Sequence, residues 1–249
     1  MWIRDIKGVQ YISFAQLARD VQAWSLTMPQ NYFSGVAGLP RSGLTVAHML
    51  GAHLNCYAGQ VNAPPFRQYT ARPVQNHSGP LLIVDDCCSF GTAIIEARKQ
   101  NTGAEFGVVY GRQEGLRNAE VRRVYTTHAE PDWLVVTEWN WMHHQDSGYI
   151  AVTNDVITDG ETATAYPSAT FDAVYALPEV ASRTKELHPQ QAVVPCEAEE
   201  VADCYRESKA VLLVTRSFPV AKYIAEHTGK VVMSFEDNAV HGPPECVWG

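Results

Sequence analysis

Two adjacent carboxylates, Asp85 and Asp86, stand directly after an apolar run, Leu81-Leu-Ile-Val84. Cys87 and Cys88 come next, then a turn bearing Ser89, Phe90, Gly91 and Thr92, then the helix-like Ala93-Ile-Ile-Glu-Ala97. A strand that ends in acids, turns through small residues and enters a helix has the parts of a phosphate-ester site. The first amides of such a helix lack intrahelical partners and sit at its positive end. Gly91 lets a phosphate approach the backbone, and the Ser89 and Thr92 hydroxyls add donors. Asp85 and Asp86 would repel a phosphate but suit neighbouring hydroxyls, such as those of a ribose. An ordinary buried strand followed by a helix start is the alternative reading of the same residues.

A second constellation, Gly38-Leu39-Pro40-Arg41-Ser42-Gly43, repeats the logic of strand, glycine-flanked loop and helix. Its single fixed charge, Arg41, offers a planar fork that matches phosphate oxygens. Alone, this spacing also describes a plain turn.

Together the two stretches resemble type I phosphoribosyltransferases. The first resembles their signature for phosphoribosyl pyrophosphate (PRPP), in its orotate phosphoribosyltransferase-like form. That form reads Thr-Ala-Gly-Thr-Ala where this chain has Ser89-Phe90-Gly91-Thr92-Ala93. The second resembles the family's pyrophosphate loop. The resemblance implies transfer of ribose 5-phosphate from PRPP to a nitrogen of a nucleobase-like acceptor, with release of pyrophosphate. It places the 5′-phosphate on residues 89–93 and the ribose hydroxyls on Asp85 and Asp86. Pyrophosphate falls to Arg41 and its neighbours Pro40, Ser42 and Gly43. Mg²⁺ is expected to be held through PRPP, with no direct protein ligand. Ser89 stands where many purine-type members carry an aspartate, which leans the acceptor towards a pyrimidine. Phe90 departs from the small residue usual at its place. It keeps open a non-catalytic PRPP- or nucleotide-binding regulator on the same fold. Residues 59–80 form a long polar stretch, which in compact domains is usually functional or mobile. Arg67, Arg72 and His77 within it are candidates for a loop closing over pyrophosphate.

The elements that must position these groups read as alternating strands and helices. Phe14, Leu17, Ala18, Val21 and Trp24 share a face of a helix expected over 13–25, opened by a Ser13/Gln16 capping box. Strands are expected at 32–37, 56–58, 105–110, 121–126 and 133–138, with helices at 44–54 and 93–101. Apolar strands joined by helices imply a parallel sheet covered on both faces, with the site at the strands' carboxyl ends. The expected fold class is α/β: a Rossmann-like parallel sheet of the type I phosphoribosyltransferase kind in residues 1–146, and a second, smaller α/β domain in 147–249.

The chain has 249 residues, 46% apolar and 18% charged, with net charge −8. That balance argues against broad binding of nucleic acid or anionic membranes, though a local site for an anionic substrate remains compatible. Residues 1–7 contain no apolar signal-peptide core, and no run approaches a membrane span. None of the six cysteines forms a Cys-x-x-Cys pair, so reduced thiols and a cytoplasmic location are expected. Cys87 and Cys88 read as small core residues, with a redox role as the alternative.

In the second half, a strand and turn are expected at 149–157, a loop-rich stretch over 160–195, a helix at 197–208, a strand at 210–216, a helix at 218–228 and a strand at 230–235. This order resembles haloacid dehalogenase-like domains, with Thr215-Arg216 and Glu236-Asp237 at the later motif positions. Val152 stands where those domains carry the nucleophilic aspartate, Asn154 where they carry a second, and Asp155 where they carry glycine. Valine cannot form an acyl-phosphate. A degenerate unit used for packing, oligomerisation or covering the substrate is therefore expected, which leaves a homodimer open. The segment Glu138-Trp139-Asn140-Trp141-Met142-His143-His144 allows aromatic packing at a domain boundary, a base-stacking surface or a metal site.

Overall fold

The computed structural model describes residues 8–61, 78–128, 133–139, 141, 149–163 and 170–248. The chain forms two compact units, Phe14–Pro131 and Met1–Ser13 with Asp132–Gly249. The break expected at 146 therefore falls earlier, and the N-terminal strand β1 (Gly8–Ile12) belongs with the C-terminal unit. The reason is pairing: β1 lies parallel between β7 (Trp133–Thr137) and β14 (Val247–Trp248). The strand expected at 133–138 thus exists but extends a three-stranded sheet in the other unit.

The unit Phe14–Pro131 holds α1 (Phe14–Leu26), β2 (Gly35–Gly38), α2 (Gly43–Leu54), β3 (Tyr57–Gln60), β4 (Leu81–Cys88), α3 (Thr92–Gln100), β5 (Glu105–Arg112), α4 (Gln113–Asn118) and β6 (Arg123–His128). Its five strands are parallel, in the order β3-β2-β4-β5-β6. Val36, Leu82, Val84 and Val108 are fully buried in it, as expected for a sheet covered on both faces.

Helix α1 buries Leu17, Val21 and Trp24 as its spacing predicts, but Phe14 and Ala18 are exposed. Asp20 takes an inward place instead, only 8% exposed. Its carboxylate accepts from the Tyr110 hydroxyl on β5 at 2.7 Å and from the Gln16 amide at 2.8 Å. A buried acid with donors in place is tolerable where an unpaired one is not.

The C-terminal unit contains a six-stranded sheet ordered β10-β9-β8-β11-β12-β13. Its strands are β8 (Ile150–Thr153), β9 (Ala173–Ala176), β10 (Val193–Pro195), β11 (Leu212–Thr215), β12 (Val231–Ser234) and β13 (Ala239–His241), the last alone antiparallel. The helices are α5 (Asn154–Ile157), α6 (Pro178–Leu187), α7 (Val201–Glu207) and α8 (Phe218–Thr228). The region expected as loop-rich, 160–195, thus contains β9, α6 and β10. Both strands are short, and α6 buries only Ala181 and Thr184, so neither period is written strongly in the sequence.

Trp141 lies in this unit's core, 2% exposed, with its ring 6.0 Å from Phe171 and 5.7 Å from Phe235. Aromatic packing was among the readings for this segment; the structure places that packing inside one unit. Trp139 is half-buried, and His143 and His144 lie outside the described residues. No helix among the described residues is long and apolar enough to cross a membrane.

Tyr110→Phe removes one of the two donors to Asp20, leaving the Gln16 amide. Loss of a buried hydrogen bond to a charged group predicts a destabilisation of about 1.5–3 kcal/mol in urea unfolding; an unchanged midpoint would show that Asp20 finds another donor.

Candidate functional site

Strand β4 runs through both acids to Cys88, so Asp85 and Asp86 lie within the strand, not after it as expected. What sets them apart is the ladder. Strand β2 pairs with β4 only as far as Gly38 opposite Val84, whereas β4 continues along β5 from Asp85 opposite Val108 to Cys88 opposite Gly111. Strand β3 lies on one side of β2 and β4 on the other. The acids therefore stand at the point where strand order reverses, which is where open α/β sheets leave a crevice for ligands.

The loop after β2 enters the same place. The Leu39 amide donates to the Val84 carbonyl at 2.9 Å, and the Gly43 amide donates to the Asp85 carboxyl group. A Cβ on Gly43 would lie 2.5 Å from the Val84 carbonyl oxygen and 3.1 Å from Asp85 Oδ1, so only glycine permits this approach. The two glycine-bearing turns thus meet beside neighbouring strands. Pro40 and Arg41, joined by a cis peptide, are exposed, while Ser42 and Gly43 are buried. The Arg41 guanidinium has no partner among the described residues. The opening amides of α2 are already committed: Gly43 to Asp85, Leu44 to the Arg41 carbonyl and Thr45 to the Ser42 carbonyl. Anion binding on this loop therefore rests more on the arginine than on the exposed amides that the sequence suggests.

Helix α3 is the opposite case. Gly91 precedes it at φ 81°, a left-handed conformation natural to glycine. The first helical bond runs from the Ile95 amide to the Gly91 carbonyl. The amides of Thr92, Ala93 and Ile94 have no acceptor among the described residues, and Thr92 and Ala93 are exposed. Ser89 is half-buried. The Phe90 side chain is 56% exposed, so its ring does not fill the turn.

Sequence reasoning missed the brace behind this turn. A Cβ on Gly91 would lie 2.6 Å from Ala119 Cβ and 2.8 Å from the Gly115 carbonyl oxygen. One on Gly115 would lie 2.5 Å from the Ser89 carbonyl oxygen. Helix α4 thus backs directly onto residues 89–91. Arg98 ties α3 to the end of α4, donating to the Ala119 and Glu120 carbonyls at 2.8 and 3.2 Å with its guanidinium over the Phe106 ring. Six residues with one glycine offer little periodic signal for such a role.

The acids form a coupled pair. Asp85 is half-buried and Asp86 only 5% exposed. Burial, then the Asp86 charge and a hydrogen bond between the two carboxyl groups, hold the Asp85 pKa well above its ordinary 3.8; donation from the Asp86 and Gly43 amides opposes this. The neighbouring thiols are pushed up as well, Cys87 by burial and both acids and Cys88 to about 11 by burial and Asp85. They stay protonated and serve as packing, in line with the core reading; all six cysteines are free.

Arg67, Arg72 and His77 lie outside the described residues. Among the described residues, no group of three or more His, Cys, Asp or Glu side chains is placed to hold a metal ion. The pair Asp85–Asp86 alone offers two oxygen-donor side chains at the crevice, a minor share of a hard cation's ligands.

No protein-family profile and no curated protein matches the chain. Among solved structures, it is similar to a hypothetical protein from Neisseria gonorrhoeae with bound ppGpp, at 13% identity and TM-score 0.42, covering 55% of this chain and 92% of that one. It is similar to the xanthine-guanine-hypoxanthine phosphoribosyltransferase of Helicobacter pylori at 13% identity and TM-score 0.37, over 53% and 93% of the two chains. The orotate phosphoribosyltransferase of Aeropyrum pernix gives 23% identity and TM-score 0.31, over 45% and 71%. At these scores the likenesses are too loose to assign a function.

The coupled acids make a stability prediction. A raised folded-state pKa means that the folded chain keeps a proton that the unfolded chain releases. The stability this lends is complete below the unfolded value and is lost as pH rises through the folded one. Asp85→Asn keeps the shape without the charge, so it should raise the thermal midpoint at about pH 7 and give no gain near pH 3.5. An equal or lower midpoint at neutral pH would show that the Asp85 charge is not a burden on the fold.

Proposed function

We propose that residues 39–43 and 85–93 bind PRPP and that the protein is a phosphoribosyltransferase acting on a nucleobase-like acceptor. One observation carries this reading: Gly43 packs so closely on Val84 and Asp85 that a Cβ there would lie 2.5 Å from the Val84 carbonyl oxygen and 3.1 Å from Asp85 Oδ1, which brings the arginine loop to the acids on the strand that leads into the start of α3. A helix start with open amides, two carboxyl groups and a guanidinium without a partner among the described residues then serve one crevice.

In this reading the α3 amides and the Ser89 and Thr92 hydroxyls hold the 5′-phosphate. Asp85 and Asp86 accept from the ribose 2′- and 3′-hydroxyls, which requires Asp85 to shed the proton that burial and Asp86 favour. Arg41 holds the pyrophosphate in a forked contact. The acceptor nitrogen forms a bond to C1′ as the C1′–oxygen bond breaks; pyrophosphate leaves with the electron pair, and the nitrogen gives up its proton. Positive charge builds on the sugar, so positioning and charge stabilisation provide most of the acceleration. Mg²⁺, bound mainly through pyrophosphate oxygens and water, would offset charge on the leaving group.

Ser89 supplies no carboxylate base, which favours a pyrimidine acceptor. Phe90 supports a second reading, binding of PRPP or a nucleotide without turnover, because its ring stands at the tip of the phosphate turn. The dehalogenase-like resemblance of the C-terminal unit, with Val152 buried at the nucleophile's place, supports no phosphatase step there.

Titration calorimetry of the full chain with PRPP and Mg²⁺ tests binding, and pyrophosphate release across a panel of bases tests turnover. Binding with no release on any base would favour the second reading, and no binding would remove both. The double variant Asp85→Asn, Asp86→Asn should stay folded and bind PRPP more weakly; unchanged affinity would remove the acids from the ribose. Thr92→Val should cost about 1.5–3 kcal/mol of PRPP affinity, as for a charge-assisted hydrogen bond. No change there would mean that the phosphate lies elsewhere.

A further inference from the structure

The C-terminal unit has a reversal of strand order of its own. Strand β8 is followed outward by β9 and β10 on one side and by β11 and β12 on the other. At the carboxyl ends of β8, β9 and β11 lies a cavity of about 500 Å³, within the range of small-molecule sites. Thr153 at the end of β8 leads Asn154 and Asp155 into it, Thr215 and Ser217 enter from β11, and Tyr175 and Ala176 end β9 there.

The lining identifies what could occupy it. Among the described residues it contains two acids, Asp155 and Glu199, and no lysine, arginine or histidine. The adjacent helix end is also closed to anions: the Phe218 amide, first in α8, donates to the Glu236 carboxylate at 2.8 Å. A phosphate would therefore meet two carboxylates, no cation and an occupied helix amide. The walls favour a flat apolar ring. Leu177, Val220 and Tyr223 are 37%, 40% and 42% exposed and line the cavity. The Tyr223 ring is held 3.9 Å from that of His227, which fixes one face for stacking. Hydrogen-bonding groups are ready at the floor. Asp155 already accepts from the Thr153 hydroxyl, while the Asn154 amide and the Thr215 and Ser217 hydroxyls take no partner among the described residues.

We propose that this crevice binds an uncharged nucleoside: a flat ring against Leu177, Val220 and Tyr223, with sugar hydroxyls donating to Asp155 and the free hydroxyls of the floor. Vicinal hydroxyls match a carboxylate as donors, and a missing phosphate suits a lining whose charged side chains among the described residues are Asp155 and Glu199. This makes the crevice a second small-molecule site, independent of whether residues 39–43 and 85–93 bind PRPP.

The test uses the full chain with adenosine and uridine and their 5′-monophosphates, followed by ligand-observed NMR and calorimetry. The double variant Asp85→Asn, Asp86→Asn runs alongside to keep the other site out of the reading. At least one nucleoside should bind with a dissociation constant below about 1 mM, and its monophosphate at least about tenfold more weakly. The Asp85/Asp86 variant should bind the nucleoside unchanged. Asp155→Asn should weaken it several-fold. Ala198→Trp, which adds bulk at an exposed lining position, should abolish it, with both variants keeping the parent's circular dichroism spectrum. The proposal is overturned if neither nucleoside binds, if the monophosphate binds as tightly or more tightly, if binding disappears with the Asp85/Asp86 change, or if folded Ala198→Trp binds normally.

Discussion

Where β2 ends at Gly38 and β4 runs on, β4 loses a neighbour on one side, and its polar groups must find other partners. Buried backbone donors and acceptors are almost always paired. The Val84 carbonyl takes the Leu39 amide. The Asp86 and Cys87 amides donate to the carboxyl groups of Asp85 and Asp86 at 2.9 and 2.7 Å. The acids thus complete the backbone of their own strand and stand in the crevice at once. The arginine loop is drawn in by the same need, because its Gly43 amide finishes the set. The groups proposed to bind ligand and the structural hydrogen bonds are here one network.

That network holds charge under tension. Two carboxyl groups in contact at a half-buried strand cannot both ionise cheaply, and a fold selected for stability alone would put an amide or an apolar residue there. Glycines at 43, 91 and 115 impose a second cost, since each gives up backbone entropy for a close approach. Costs of this kind tend to collect at functional sites. Two of these approaches, Gly91 and Gly115, are locked face to face at residues 89–91, so that turn's shape is set without a ligand.

The parts of the site were legible because they are local. Leu81 to Ala97 reads as strand, turn and helix from adjacent residues, and so does Val36 to Val46. What could not be read depends on contacts between distant segments. Strand β1 pairs with β7 and β14 across more than half the chain, which moved the division between units away from 146. Asp20 sits in the apolar face of α1 because a distant residue, Tyr110, meets it there together with its own helix's Gln16. Strands β9 and β10 are four and three residues long, too short for a period to declare itself, and α6 buries too few apolar side chains to show one. Order of strands within a sheet leaves no mark on composition, so neither reversal point could be located from the sequence.

The two crevices show how little the fold by itself decides. Each lies where strand order reverses in a parallel region of sheet, and each has a carboxyl group at or just past the end of a strand, Asp85 and Asp86 in β4 and Asp155 after β8. The difference lies in a few groups. In the first, among the described residues, α3 opens on amides without acceptors over a glycine and the Arg41 guanidinium has no partner. In the second, the amide that begins α8 donates to Glu236, β8 carries the buried Val152, and the described lining residues include no cation. One helix end left open and one closed is the difference on which the two proposals rest, an anion for the first crevice and an uncharged ring for the second. In that reading the ligand is chosen by who satisfies the first amides of two helices, Gly91 leaving one set open and Glu236 accepting from the other, and not by the sheets beneath them.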